Sequence, residues 1–141
     1  LPNKFESIQS LLRILLLELE SFPENQTNIE NNSYSRGYYL TEKFKELLVE
    51  NFTKHREVHF YAEKLFITPK HLSQVVKDQT GKTVSEIISE MVCLEAKVLL
   101  QTKSLNISEL SVYLNFASAT FFGKFFKRST GMSPLEYRKS L

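Results

Sequence analysis

Cysteine occurs once, at Cys93, so neither an intramolecular disulfide nor a cysteine-based zinc site can form within these 141 residues. Such sparing use of cysteine fits a reducing compartment, and the expected location is the cytoplasm. Glycine occurs only at Gly37, Gly81, Gly123 and Gly131, which excludes a glycine-rich phosphate loop. His55, His59 and His71 lack the spacing of metal ligands. The leucine-rich run from Leu11 to Leu19 is broken by Arg13 and Glu18 and is too short to span a bilayer, so no membrane partner is expected. No signal peptide is visible, no cofactor is expected, and no constellation of side chains supports an enzyme. Cys93 lies among apolar residues, the setting of an inert buried thiol.

What is present is enough for a core: 42% of the residues are hydrophobic. The length allows one ordinary domain and an appendage. The formal charge of +2 gains meaning only when divided along the chain. Residues 1–36 carry Lys4, Arg13 and Arg36 against five glutamates, whereas residues 37–141 carry fifteen basic against eleven acidic residues. The second part is therefore the one suited to a polyanion.

Three segments follow from periodicity. Residues 1–22 read as an amphipathic helix, because Phe5, Ile8, Leu12, Leu15, Leu19 and Phe22 have the 3-4 spacing of a coiled-coil seam. That helix either packs on its own domain or dimerises or docks through Phe5, Ile8, Leu12, Leu15 and Leu19. Residues 23–37, rich in Asn and Ser, read as a flexible linker. Residues 38–141 read as the folded domain, opening with a helix capped by Thr41 and striped by Phe44, Leu47, Leu48 and Phe52. The chain starts at Leu1 rather than Met and is expected to belong to something longer.

Within the domain, Val58, Tyr61, Ala62 and Leu65 make a short helical stripe, and Thr68-Pro69 is a helix start after a tight turn at Phe66-Ile67. The pair has the spacing of a helix-turn-helix, at about 58–81. Thr83 to Glu86 is a capping box opening a linker helix at about 83–101, apolar on two faces. Asn106 to Glu109 is another, opening a second helix-turn-helix at about 106–131. There Phe122, Phe125 and Phe126 lie on one helical face, while Lys124, Lys127 and Arg128 point elsewhere. No acidic residue occurs between Ser118 and Gly131. Ser133 to Glu136 starts a last helix with a Ser cap, Pro at its first position and Glu as the reciprocal cap. The two units repeat one another: KDQTGKTVSE from Lys77 aligns with KRSTGMSPLE from Lys127, and Leu72 and Val76 fall where Phe122 and Phe126 do. The fold class is all-α.

Two helix-turn-helix units joined by a long helix and ending in GMSPLEYR resemble the DNA-binding domain of AraC/XylS-type transcription regulators. The resemblance covers about residues 38–140. It rests chiefly on the aromatic signature that starts at Asn115-Phe116 and on ITPKHLSQVVKDQTGK. It implies a sequence-specific regulator whose two recognition helices enter successive major grooves of double-stranded DNA. It also implies RNA polymerase as a partner and a sensor domain that this chain lacks, with a homodimer formed through the N-terminal helix. Asn115 stands where the family usually has Gly, and Asn tolerates a left-handed backbone. Val92 stands where the family often has Arg.

On the first recognition helix, Lys70, His71, Ser73, Gln74 and Lys77 face outward once Leu72, Val75 and Val76 are assigned to the core. Gln can pair with adenine, Lys with guanine or phosphate, and Ser with either. On the second, Thr120 and Lys124 face outward beside Ala119 and Gly123, flanked by Lys127 and Arg128. Phe121 could touch a thymine methyl or join the core. The alternative function is a helical protein–protein module that never touches DNA. A further alternative, a DNA-repair methyltransferase fused to such a domain, would need Cys93 to be a reactive thiol.

Overall fold

Five of the helices described below begin at short, local capping signals. The computed structural model describes Leu12, Arg13 and residues 32–141. From residue 32 it runs through seven helices with no strand among the described residues: α1 (Asn32–Asn51), α2 (Val58–Lys64), α3 (Pro69–Thr80), α4 (Val84–Gln101), α5 (Ile107–Tyr113), α6 (Ala119–Thr130) and α7 (Pro134–Lys139). The side-chain oxygens of Thr68, Thr83, Asn106, Ser118 and Ser133 each accept from a backbone N–H in the first turn of the helix that follows. Three of these caps are reciprocal, with Glu86, Glu109 and Glu136 accepting from the cap's own backbone N–H.

The chain divides into two compact units. The first contains α1 and Val58–Lys82. Its core joins Leu40, Phe44 and Leu48 of α1 to Tyr61 and Ala62 of α2 and to Leu72 and Val76 of α3. Phe44 and Tyr61 meet edge to face with centroids 5.4 Å apart, an arrangement that suits the ring quadrupoles. Val75, expected in this core, is only half-buried.

α1 starts earlier than the periodicity predicts. It begins at Asn32, inside the stretch read as a flexible linker, and Thr41 is a buried mid-helix residue rather than its cap. Packing is the reason. Leu40 is buried, and Gly37 lies so close to α3 that a Cβ there would stand 3.0 Å from Gln79 Nε2. Tertiary contact thus outweighs the weak helix propensity of the Asn- and Ser-rich segment. Of the seam read in the N-terminal helix, Phe5, Ile8, Leu15 and Leu19 lie outside the described residues. Leu12 is 55% exposed.

The second unit contains Phe52–Glu57 and everything from Thr83 on. α4 is its longest helix, about 27 Å at 1.5 Å per residue. Cys93, Ala96 and Leu100 of α4 pack with Leu110, Leu114, Phe122 and Phe126. Phe116, Phe125 and Tyr137 close over this cluster. At the end of α4, Arg138 Nε donates to Leu100 O at 3.0 Å and so ties α7 to the last turn. Cys93 is buried, and that burial pushes its thiol above the usual value, partly opposed by the Lys97 charge. A thiol so placed is held in its unreactive form, unlike the lowered thiols of cysteine nucleophiles. No helix among the described residues is long and apolar enough to cross a membrane.

Candidate nucleic-acid interface

α3 and α6 are built on one frame. Each is twelve residues long, starts on a hydroxyl cap and ends on a left-handed glycine, Gly81 (φ 77°) or Gly131 (φ 85°). Each buries two residues four apart, Leu72 and Val76 in one and Phe122 and Phe126 in the other. The match extends to the threonine before each of these glycines, Thr80 and Thr130. Thr80 Oγ1 donates to Val76 O and accepts from Lys82 N; Thr130 Oγ1 does the same with Phe126 O and Met132 N. Each threonine thereby joins the last turn of its helix to the segment beyond.

The turns that lead into these helices also share a design. Phe66 N–H donates to Glu63 O and Ile67 N–H to Ala62 O; Asn115 N–H donates to Val112 O and Phe116 N–H to Ser111 O. This pair of bonds is a Schellman motif, which requires a left-handed residue just past the helix. Asn115 supplies it at φ 60°, as the expected tolerance of Asn allows. In the first unit the same role falls to Phe66, at φ 58° and 95% exposed. No sequence signal marks that residue.

With the frame fixed, the outward side chains can be placed. On α3, Lys70, His71, Gln74 and Lys77 are exposed and Ser73 is half-buried. Two of them are engaged locally: Gln74 Nε2 donates to Asp78 Oδ1 at 2.9 Å, and Lys77 Nζ donates to Gly81 O at 3.0 Å. On α6, Thr120, Lys124, Lys127 and Arg128 are all exposed. Among the described residues their side chains have no hydrogen-bond or ion-pair partner, and no acidic residue shares the helix. Phe121 is 62% exposed, which removes it from the core and places it on the polar side. Each helix therefore offers a polar face rich in cations, opposite the buried one. Chemically, lysines on such a face are able to contact phosphates, and Gln, Ser and Thr are able to contact base edges. Among the described residues no three His, Cys, Asp or Glu side chains come together as a metal site.

Comparison with known proteins agrees with this arrangement. Residues 61–140 match the helix-turn-helix domain family. The Msm operon regulatory protein of Streptococcus mutans is 25% identical over 139 residues, covering 99% of this chain and 49% of that protein. The chain spans about half or less of the length of the curated relatives it matches. In fold it is similar to the C-terminal domain of AraT, a response regulator from Geobacillus stearothermophilus, with a TM-score of 0.69 at 22% identity over 72% of this chain and 85% of that one. It is similar as well to the DNA-binding domain of AdpA, solved with a target DNA, with a TM-score of 0.63 at 23% identity over 72% of this chain and 90% of that one. The capped, twice-repeated helix-turn-helix and the family match over 61–140 lead to one assignment: the chain belongs to the AraC-type helix-turn-helix family of DNA-binding transcription regulators.

Proposed function

We propose that this chain is the operator-reading part of a transcription regulator, with α3 and α6 each laid in a major groove of a bipartite site. The observation that carries the reading is α6: four exposed polar or cationic side chains without partners among the described residues, on a helix anchored from behind by Phe122 and Phe126. Lys70, Lys77, Lys124, Lys127 and Arg128 are the phosphate and guanine contacts in this reading. His71, Ser73, Gln74 and Thr120 are the base-edge contacts. The two half-sites lie about one helical turn apart. The same reading makes the protein a non-enzymatic regulator of the cytoplasm that needs no cofactor. It also includes a sensor domain, contact with RNA polymerase and a homodimer formed through Phe5, Ile8, Leu12, Leu15 and Leu19. Sedimentation of a Leu12→Glu variant tests the dimer: an association unchanged from the parent chain removes residues 4–22 from the interface.

Selection of bound sequences from a random DNA pool tests the central claim, followed by titration of the winning sequence across salt. A bipartite motif should emerge, and log affinity should fall against log salt by about 0.9 per phosphate contacted. A pool with no enrichment, together with salt-independent binding, would instead favour a helical module that binds protein.

A further inference from the structure

Phe52–Glu57 precedes α2 in the chain, yet it folds as part of the second unit. Within it, Arg56 reaches residues distant in sequence. Nη1 donates to Leu114 O at 2.5 Å and Nη2 to Asn115 O at 2.6 Å. The guanidinium carbon lies 4.2 Å from the centroid of the Phe116 ring. In return, Asn115 Nδ2 donates to Lys54 O at 3.2 Å. Three consecutive residues, Leu114, Asn115 and Phe116, are thus held by one short segment some sixty positions away.

Those three residues are the turn between α5 and α6. The Leu114 carbonyl lies at the C-cap of α5, where the helix carries its partial negative charge, and the Asn115 carbonyl follows it, so a guanidinium bridging the two is well matched. The Phe116 ring also has α6 within reach, with centroids 5.2 Å from both Phe122 and Phe125. The guanidinium therefore bears on the turn backbone and on the ring against which the aromatic side of α6 rests.

We propose that Arg56 is a positioning residue for the second recognition helix. It sets the angle at which α6 leaves its turn, and through that angle the register of Thr120 and Lys124 on the bases, without touching DNA itself. The consequence for DNA rests on the function proposed above; the hold on the turn does not. Arginine suits the requirement better than lysine, since its planar fork bridges two carbonyls in a fixed geometry while stacking on a ring, whereas an ammonium is a point charge with no plane to stack.

Arg56→Lys and Arg56→Ala in the whole chain test this in two ways. The first uses no DNA: amide hydrogen exchange should quicken about tenfold or more at Asn115 and Phe116 and stay unchanged in α3. Acceleration shared by every amide of the second unit would show a general stabiliser and overturn the proposal, as would no change. The second measures affinity for every single-base variant of the selected site. Preference should flatten about fivefold or more in the half read by α6, persist in the other half, and leave the salt slope unaltered. Uniform loss on all sequences with a slope reduced by about 0.9 would make Arg56 a phosphate contact and overturn the proposal. If the parent chain itself selects no sequence, the operator reading fails, and hydrogen exchange alone decides whether Arg56 holds the turn.

Discussion

Phe66 carries two costs at once, a left-handed backbone and an aromatic ring in water. A side chain in that conformation costs roughly 1–2 kcal/mol, whereas glycine adopts it freely but loses about 0.5–1 kcal/mol more chain entropy on folding. Phe66→Gly should therefore stabilise the first unit by about 0.5–1 kcal/mol, seen as a higher urea midpoint with an unchanged slope. A lower midpoint would mean that the ring makes contacts that offset the strain. Cys93 offers a second test at this scale. Burial raises its pKa, so less thiolate is present at any given pH than in the unfolded chain. Alkylation near pH 8.5 should be far slower for the native protein than in urea, and equal rates would contradict the placement of the thiol.

At the scale of elements, the proposed reading divides the work unequally between α3 and α6. α3 offers more side chains able to read bases, but in that reading Gln74 must leave Asp78 and Lys77 must leave Gly81 before either reaches DNA. α6 has less to read with, and its cations are unengaged among the described residues. Gln74→Ala should relax preference by about 1–3 kcal/mol at one or two base pairs in the α3 half. Lys127→Ala should weaken all sequences about equally. Affinities for all single-base variants check both, and greater information content in the α6 half would reverse the assignment.

The elements were legible where their causes are local. Caps at Thr68, Thr83, Asn106, Ser118 and Ser133 are a matter of a few adjacent residues, and so are the left-handed stops at Gly81 and Gly131. The repeat made the buried pairs visible because both units place an apolar residue at the same two positions. Two features were hidden for a common reason: Asn32 as a helix start and Arg56 as the holder of a turn depend on packing or on a partner distant in sequence. Gly37 against Gln79 and Arg56 against Leu114 are separated by 42 and 58 positions, so no window of neighbouring residues contains the signal. Phe66 was hidden otherwise, because its Schellman bonds are local but Phe is not a residue type that marks a left-handed turn.

The molecule as a whole inherits a constraint from Phe52–Glu57. A peptide of residues 83–141 would contain α4 to α7 but lack buried Phe52 and the Arg56 bonds. It should be less stable than the same residues in the intact chain by about 2 kcal/mol, since burying a Phe side chain such as that of Phe52 contributes about 1.5–3 kcal/mol. Comparing denaturant unfolding of the two checks this, and equal stability would show the segment to be dispensable.

The boundary after Lys82 thus invites a cut that the structure does not permit without loss. A recombination event there would deliver a second reader stripped of the stretch that braces its turn, and would leave that stretch stranded in the first. The two readers look like duplicate modules, but they cannot be shuffled independently. Lineages that exchange one should have to exchange the residues between α1 and α2 along with it.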